Sequence, residues 1–267
     1  MARSFTDFIT EEEQIENYKV IILTVEHGDK SITAKKFEKQ AQKMGMQVFL
    51  SDFKGVSLTF DDGKYSIRDK NNSMEFSSKD TVVFVRGTPT RDSHLDLISE
   101  LERIGCTCIN SRTTISICAD KYRSYVRMKD FKLNQPKTVL VPTEDDIDTA
   151  LEELDTKFPI ILKTLRGAGG VGVLFVESKR ALDSLVQLIY KQDPETDILI
   201  QEYIKTDGDI RVVIVGDTII GTMKREVVEG DFRSNYTQGG GVKPYKLSEE
   251  EMRQCMTAAK SVDGDFV

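Results

Sequence analysis

A lysine at the end of an apolar segment precedes a glycine-rich loop, and the loop leads directly into a second apolar segment. Residues 158–163 read FPIILK, residues 167–172 read GAGGVG, and residues 173–176 read VLFV. Glycine backbone can approach phosphate oxygens closely, and a lysine ammonium supplies a point charge for the same oxygens. The order therefore predicts a hairpin that folds over nucleotide phosphates, with Lys163 at its base.

The loop matches the pattern G-x-G-x-x-G, and the glycines that we expect at the phosphates are Gly169, Gly170 and Gly172. A dinucleotide-binding loop of this pattern opens a helix, whereas residues 173–176 read as a strand. A Walker A loop needs Lys-Ser or Lys-Thr directly after its glycines, but Val173 follows Gly172 here. A protein-kinase loop needs H-R-D and D-F-G motifs, and neither occurs in the sequence. A glycine-rich hairpin that binds no ligand stays open as the alternative.

Other side chains are spaced to complete a nucleotide site. Lys121 lies in a helical segment ahead of the hairpin and is a candidate second cation for phosphate, although it also reads as an ordinary helix-surface charge. The segment Gln201-Glu202-Tyr203 closes an apolar strand, where Glu202 can accept a hydrogen bond from an adenine amine. Asp209 opens the next strand and can accept from a ribose hydroxyl, or can serve only the turn.

A basic and polar stretch follows in an otherwise acidic chain. It contains Arg225, then the run Arg233-Ser234-Asn235, and then glycines at 239–241. Segments of this composition often form lids or substrate-binding loops, because they are polar and conformationally free. A disordered surface loop is the alternative interpretation.

The elements that must hold these residues fall into two parts. After an acidic lead-in at 1–17, residues 18–118 alternate apolar strands with helices, which predicts an α/β domain with a doubly wound, mainly parallel sheet. The predicted strands are 19–25, 46–50, 81–85 and 106–110, the helices are 31–44 and 93–104, and a small hairpin is expected near 61–63. We expect His94 on the surface of the second helix, and Cys106 and Cys108 as small buried residues.

From Ser111 the sequence becomes a basic helix, and a second domain is predicted at 119–267. Its pattern indicates an α+β fold with an antiparallel sheet, including a hairpin over the Gly216-Asp217 turn. The predicted strands are 137–141, 158–163, 173–176, 198–203, 209–215 and 217–224, and the helices are 144–154 and 179–190.

Composition narrows the classes of function. With 267 residues, 39% of them hydrophobic, the chain is predicted to be globular. A net charge of −7 argues against nucleic acid as a partner, because phosphate neutralisation needs a basic face. Four cysteines without a C-x-x-C pair and two histidines do not make a zinc site, and they fit a reducing, cytoplasmic setting. The acidic start lacks an apolar run, so we expect no membrane segment.

Several of these motifs together resemble the ATP-grasp enzymes of the RimK type, the alpha-L-glutamate ligases. The matching segments are Asp120-Lys121, the strand and loop at 161–173, Gln201-Glu202-Tyr203-Ile204, Asp209-Ile210-Arg211 and residues 229–235, which read EGDFRSN. The resemblance covers most of residues 111–260 by motif, and the preceding strand–helix part is similar to the family's N-terminal domain in order.

The resemblance implies a ligase that joins a carboxylate to an amine with ATP, through an acylphosphate. It implies an amino acid such as glutamate and a protein or peptide acceptor as partners, and leaves assembly into a homo-oligomer open. The implied site residues are Lys121 and Lys163 at the phosphates, Glu202 and Tyr203 at the adenine, Asp209 at the ribose, Arg233, Ser234 and Asn235 near phosphate and substrate, and Arg225 at an acylphosphate or substrate carboxylate.

The resemblance also implies Mg²⁺, which family members bind through an Asp, a Glu and an Asn near the C-terminus. This chain ends at residues 261–267, where those strands are expected to begin, and we do not assign Asp263 or Asp265 as metal ligands. We therefore expect no metal residue in this chain, which is then either a fragment of a ligase or a natural short form. The alternative function is a nucleotide-binding or protein-interaction module without catalytic turnover.

Overall fold

The computed structural model describes residues 18–25, 31–155, 157–167, 172–227 and 241–267. The chain divides into two compact units, one formed by Met1–Ser116 with Asp263–Val267 and one formed by Ile117–Val262. We keep 1–17, 18–118 and 119–267 as the proposed domain limits. Gly169, Gly170 and the predicted substrate residues Arg233, Ser234 and Asn235 lie outside the described residues.

The first unit contains a four-stranded parallel sheet and a small antiparallel sheet. In chain order its elements are β1 (Lys19–Thr24), α1 (Ile32–Lys43), β2 (Gln47–Asp52), β3 (Ser57–Asp61), β4 (Lys64–Arg68), β5 (Ser73–Phe76), β6 (Thr81–Arg86), α2 (Asp92–Ile104) and β7 (Thr107–Ile109), followed by α3 (Arg112–Cys118). The parallel sheet has the order β2-β1-β6-β7. The order thus changes direction between β1 and β6, as expected for a doubly wound sheet.

The parallel strands form because apolar residues line both of their faces. Ile21, Ile22 and Leu23 of β1 are fully buried, which fits a central strand of a parallel sheet. Ser31 caps α1, since its Oγ accepts a hydrogen bond from the Ala34 N–H at 3.3 Å. The predicted strands and helices of this unit are confirmed, with ends that move by two residues or fewer.

The polar stretch before β6 contains more structure than the single hairpin predicted there. Strands β3, β4 and β5 pair in that order, and Asp62 and Gly63 make the first turn with positive φ angles of 47° and 77°. Ile67, Met74 and Phe76 of this sheet are buried in the core of the unit. The apolar positions are too few in each short strand to reveal the third strand by pattern.

The second unit is built from antiparallel sheets, as predicted. Its elements are α4 (Lys121–Asp130), β8 (Thr138–Val141), a short 3-10 turn at Glu144–Asp146, α5 (Ile147–Leu154), β9 (Ile160–Thr164), β10 (Val173–Val176), α6 (Lys179–Gln192), β11 (Ile198–Glu202), β12 (Gly208–Val215), β13 (Thr218–Glu226), β14 (Val242–Pro244) and α7 (Glu249–Ser261). One sheet has the order β10-β9-β11-β8 and another has the order β12-β13-β14.

The core of this unit lies between one face of the first of these sheets and the helices α5 and α6. Alternate residues of β9 and β11 supply that face, and Leu154 and Leu182 of the helices are fully buried against it. The amphipathic spacing of α6 was predictable because its apolar residues recur at helical intervals. No helix in the part of the chain that the structure describes is both long and apolar enough to cross a membrane.

The single basic helix predicted from Ser111 is wrong, because the segment forms the two helices α3 and α4. Asp120 lies between the two helices and caps the N-terminus of α4. Its Oδ1 accepts hydrogen bonds from the Tyr122 and Arg123 N–H groups, each at 3.0 Å. Asp120 is 6% exposed, so the cap is part of the packed structure.

The surface position predicted for His94 is also wrong, whereas the predicted burial of Cys106 and Cys108 is confirmed. His94 is 7% exposed, and its ring stacks on Phe53 with the centroids 4.9 Å apart. Its Nδ1 is buried with no acceptor or donor among the described residues. Phe53 follows β2, so the sequence of α2 alone could not reveal this contact.

The buried histidine makes the stability of the first unit depend on pH. Burial, together with the charges of Arg91 and Lys54, lowers the pKa of His94 below its ordinary value of 6.5. In the range between the lowered pKa and 6.5 the unfolded chain binds the proton and the folded chain does not, so stability falls as pH drops through this range. We expect His94→Phe, which keeps the stacked ring, to remove this part of the pH dependence.

The measurement is urea unfolding of wild type and His94→Phe at a pH of about 7.5 and of about 5.5. Other titrating groups are common to both proteins and cancel in the difference between their free energies of unfolding. The difference is expected to shift in favour of the variant at the lower pH. A difference that is the same at both values would show that His94 does not set the dependence.

Candidate functional site

Strand β9 presents Lys163 on the face of its sheet that is opposite the core. Side chains alternate along a strand, and Ile160 and Leu162 belong to the core cluster. Lys163 therefore lies on the other face, where it is partly buried. Strand β9 pairs with β10 on one side and with β11 on the other. This pairing fixes the register of β9, and therefore the face of the sheet on which Lys163 lies.

A row of polar groups crosses the sheet and holds the Lys163 ammonium. Lys163 Nζ donates to Gln201 Oε1 at 2.6 Å, and Gln201 Nε2 donates to Thr138 Oγ1 at 2.7 Å. Thr138 Oγ1 in turn donates to the Pro136 carbonyl at 3.0 Å. The described partner of the ammonium is thus a neutral amide, so its charge is oriented without being cancelled.

Lys121 is the first residue of α4, and it ties this helix to the segment after β9. Its backbone N–H donates to the Leu165 carbonyl at 3.0 Å. Its Nζ donates to the carbonyl oxygens of Thr164 at 2.9 Å, Leu165 at 3.4 Å and Gly167 at 3.5 Å. The second lysine predicted for phosphate therefore lies at the start of the glycine-rich loop.

The two lysines are close enough to affect each other. Burial lowers the pKa of Lys163, and the positive charge of Lys121 lowers it further. Burial also lowers the pKa of Lys121, while the carboxylate of Asp120 acts in the opposite direction. Two ammonium groups with mainly neutral partners attract an anion, because a bound anion relieves both the repulsion and the loss of hydration.

The base of the glycine-rich loop is closed by Thr164 and Gly172. Thr164 N–H donates to the Gly172 carbonyl at 3.0 Å, and Thr164 Oγ1 donates to the Arg166 carbonyl at 2.9 Å. Gly172 has a φ of 73°, and a Cβ at this position would lie 2.2 Å from Thr164 Oγ1. Only glycine fits, both for its backbone conformation and for the space available.

The residues predicted at the adenine are held at the end of β11. Glu202 Oε1 accepts a hydrogen bond from the Lys137 N–H at 2.7 Å, and the Glu202 N–H donates to the Lys137 carbonyl at 3.0 Å. Tyr203 packs its ring edge-on against Phe175 of β10, with centroids 4.9 Å apart. An aromatic pair therefore lies at the end of β11, in the same sheet as Lys163.

Asp209 and Arg225, predicted for different ligand groups, are paired with each other. They face across β12 and β13, where Arg225 Nε donates to Asp209 Oδ1 at 2.7 Å and a second nitrogen donates to Oδ2. This pairing raises the pKa of Arg225. Lys224 makes a similar pair with Asp207, with Nζ and Oδ2 2.6 Å apart.

A cavity of about 540 Å³ adjoins the segment to which Lys121 donates. Arg123 and Arg166 were not predicted as site residues, yet both line this cavity, because helix α4 and the loop after β9 meet there. Its lining residues are Asp120, Arg123, Thr164, Leu165, Arg166, Asp193, Glu195, Thr196 and Asp197.

Gln201 and Thr138, which orient Lys163, are two further residues for which no role was predicted. Gln201 is a polar residue in an apolar strand, which was a signal in the sequence. Only the register of the strands shows that Gln201 lies beside Lys163 and Thr138. The structure brings together Lys121, Lys163 and the loop base, and separately Asp209 and Arg225. Within the described ranges no group of three or more His, Cys, Asp or Glu residues is placed to hold a metal ion.

The contact between Gly172 and Thr164 can be tested by substitution. A residue with a side chain loses roughly 1–2 kcal/mol of stability when its φ is positive. Gly172→Ala is expected to lower the free energy of unfolding by more than this, because the added Cβ also clashes with Thr164. Gly216→Ala is the matched control, because Gly216 also has a positive φ of 55° but has no atom within 4 Å of the added Cβ. Urea unfolding measures both variants.

In a Thr164→Ala background the excess cost of Gly172→Ala over Gly216→Ala is expected to shrink, since the clashing oxygen is removed. Equal costs for the two glycine substitutions in the wild-type background would contradict the close contact.

Known proteins resemble this chain in sequence and in fold. A probable alpha-L-glutamate ligase from Marinomonas sp. (strain MWYL1) is 37% identical over 166 residues, which cover 61% of this chain and 54% of that protein. Such matches span about half the length of these curated relatives. The RimK domain ATP-grasp protein of Sphaerobacter thermophilus DSM 20745 has a similar crystal structure, with a TM-score of 0.68 at 17% identity, covering 92% of this chain and 83% of that one.

The macrocyclase MdnC from Microcystis aeruginosa MRC, solved with its precursor peptide MdnA, has a TM-score of 0.66 at 18% identity, covering 92% of this chain and 85% of that one. These likenesses show the ATP-grasp fold. Residues 118–267, more than half of the chain, match the RimK-like ATP-grasp domain. The chain therefore belongs to the RimK-like ATP-grasp family.

Proposed function

We propose that this chain carries the nucleotide site of an ATP-dependent carboxylate–amine ligase that adds an amino acid such as glutamate to a protein or peptide acceptor. The glutamate ligase named among its relatives supports the amino acid. The macrocyclase solved with a precursor peptide supports a peptide acceptor. A reducing, cytoplasmic setting is part of the same proposal.

The observation that carries the proposal is the pair of lysines at the base of the glycine-rich loop. Lys163 is oriented by the neutral amide of Gln201, and Lys121 by carbonyl oxygens of the loop itself. Phosphoryl transfer is catalysed mainly by positioning and by neutralising charge, for which ammonium groups and backbone N–H groups suffice. We assign both lysines and Gly169, Gly170 and Gly172 to the phosphates of ATP.

The other assignments follow the order of the strands. Glu202 and Tyr203 are proposed at the adenine, and Asp209 at the ribose. Arg225 is proposed at the acylphosphate, with Arg233, Ser234 and Asn235 near phosphate and substrate. Asp209 and Arg225 are paired with each other. The carboxylate has further lone pairs and the guanidinium has further N–H donors, so a ligand can meet either group beside the pair or can replace the pair.

The proposed reaction has two steps. A carboxylate oxygen of one substrate attacks the γ-phosphorus of ATP, the bond to ADP breaks, and an acylphosphate forms. The amine of the second substrate then attacks the acyl carbon, inorganic phosphate leaves, the amine loses a proton, and an amide results. Among the described residues no three His, Cys, Asp or Glu side chains are grouped to hold a metal ion, and the steps above are written for the substrates alone.

The lysine assignment predicts how nucleotide stabilises the chain. A ligand that binds only the folded state stabilises it by about 2.7 kcal/mol at roughly a hundredfold excess over Kd. Mg-ATP is expected to raise the melting temperature of wild type, and Lys163→Met is expected to weaken binding by about tenfold to a hundredfold, the value of a charge-assisted hydrogen bond. A thermal-shift titration measures both.

Lys157→Met is the matched control, because Lys157 is an exposed lysine three residues before β9. It should behave as wild type. Equal responses from the two variants would remove Lys163 from the phosphate site.

Measuring ATP turnover distinguishes a ligase from the alternative, a nucleotide-binding or protein-interaction module without catalytic activity. ADP release is expected only when both a carboxylate substrate and an amine substrate are present, because the acylphosphate needs the first and its discharge needs the second. Coupled detection of ADP with each substrate omitted in turn measures this requirement. ADP release at the same rate without either substrate would contradict the ligase mechanism, and saturable ATP binding without any turnover would favour the nucleotide-binding module.

A further inference from the structure

Arg86 is the last residue of β6, at the carboxyl end of the parallel sheet in the first unit. It lies in register with Thr24, the last residue of β1. The strand order changes direction between these two strands. In open α/β sheets this edge, at the point where the order reverses, is where ligands bind.

Three phenylalanine rings surround the guanidinium of Arg86. Its Cζ lies 5.6 Å from the ring centroid of Phe37, 5.9 Å from that of Phe84 and 5.2 Å from that of Phe266. The rings also contact one another, with Phe37 and Phe84 4.4 Å apart and Phe84 and Phe266 5.8 Å apart. Cation–π attraction therefore fixes the position of the guanidinium.

The positive charge of this group has no counter-charge among the described residues. Arg86 Nε is buried and donates to no described acceptor. Burial lowers the pKa of Arg86, and no neighbouring carboxylate opposes this shift. An arginine stays protonated in proteins, so the charge persists and its N–H donors remain to be satisfied. Such a group is costly to bury unless an anion binds it.

The ring of Phe266 is brought to this place by hydrogen bonds. Asn110, which follows β7, accepts from the N–H groups of Asp265 at 3.0 Å and Phe266 at 2.8 Å, and donates to the Phe266 carbonyl at 2.7 Å. Thr114 Oγ1 donates to the Asp263 carbonyl at 2.6 Å. The surroundings of Arg86 are thus assembled from β6, α1 and the segment 263–267, all within the first unit.

We propose that Arg86 binds a carboxylate of the ligase substrates. The side chain as a whole is partly exposed although its Nε is buried, which leaves the terminal nitrogens to meet a ligand. A guanidinium presents parallel N–H donors that match the two oxygens of a carboxylate. The inference rests on the proposed function, which requires a carboxylate substrate. The carboxylate belongs either to the free amino acid or to the peptide acceptor.

The test observes Arg86 directly. In the full chain labelled with ¹⁵N, the buried Nε–H of Arg86 should give its own NMR cross-peak, assigned by its loss in Arg86→Lys. Sodium L-glutamate and a short glutamate-ended peptide are titrated separately, with sodium chloride and inorganic phosphate at matched ionic strength as controls. We expect a saturable shift with one of the carboxylate probes and none with chloride, and the probe that acts identifies the source of the carboxylate.

Arg86→Lys keeps the charge but loses the planar fork, so it is expected to weaken binding of the responding probe by about tenfold or more. Arg68→Lys is the control, because Arg68 is an exposed arginine of the same unit that donates to Ser57 Oγ. It should leave the titration unchanged.

Mg-ATP stabilisation, measured on the same wild-type sample, separates the two proposals. A chain that ATP stabilises but whose Arg86 cross-peak moves with neither carboxylate, or moves only with phosphate, would overturn the assignment of Arg86 and leave the proposed function intact. A chain that neither ATP nor carboxylate affects would overturn both. If Arg86→Lys does not fold, through-bond NMR experiments on the labelled wild-type chain assign the Arg86 cross-peak, so the wild-type titration still decides the question.

Discussion

The attachment of Lys121 to the loop after β9 is the contact on which the candidate site depends. One residue bonds the loop twice, through its backbone N–H and through its ammonium. Helix α4 begins at this residue because Asp120 caps it, so the cap, the lysine and the loop are set by a few neighbouring groups. The same contact brings a positive charge close enough to Lys163 to lower its pKa. Lys121 therefore both holds the loop in place and lowers the pKa of Lys163.

Much of the fold was predictable because its elements carry strong local signals. Buried parallel strands such as β1 are continuously apolar, and the helices α1 and α6 show caps and helical spacing. The predictions that were wrong or incomplete concern residues whose contacts lie far away in the sequence. His94 looks polar in its helix and is buried by Phe53, and the short β5 reaches the core only because it pairs with β4. Helix α7 was not predicted, although its capping box at Ser248 and Glu251 was a readable signal.

The candidate site shows the same division. Lys163 and the glycines could be proposed from their order along the chain, since a strand, a loop and a strand in succession predict their own geometry. The partners that orient the lysine could not be found in this way. Gln201 and Thr138 reach it across neighbouring strands, and only the register of β8, β9 and β11 determines that contact. The pairing of Asp209 with Arg225 likewise follows from the β12 and β13 register.

That pairing has a consequence for selectivity. In the absence of ligand, Asp209 and Arg225 satisfy each other through two hydrogen bonds. A molecule that separates Arg225 from Asp209 has to replace two hydrogen bonds between charged groups, and losing such bonds in a partly buried place is penalised. A molecule that presents a hydroxyl to one and an anionic oxygen to the other would replace both bonds at once. At the proposed site, we therefore expect this pair to favour a ligand that carries both groups over an analogue that lacks one of them.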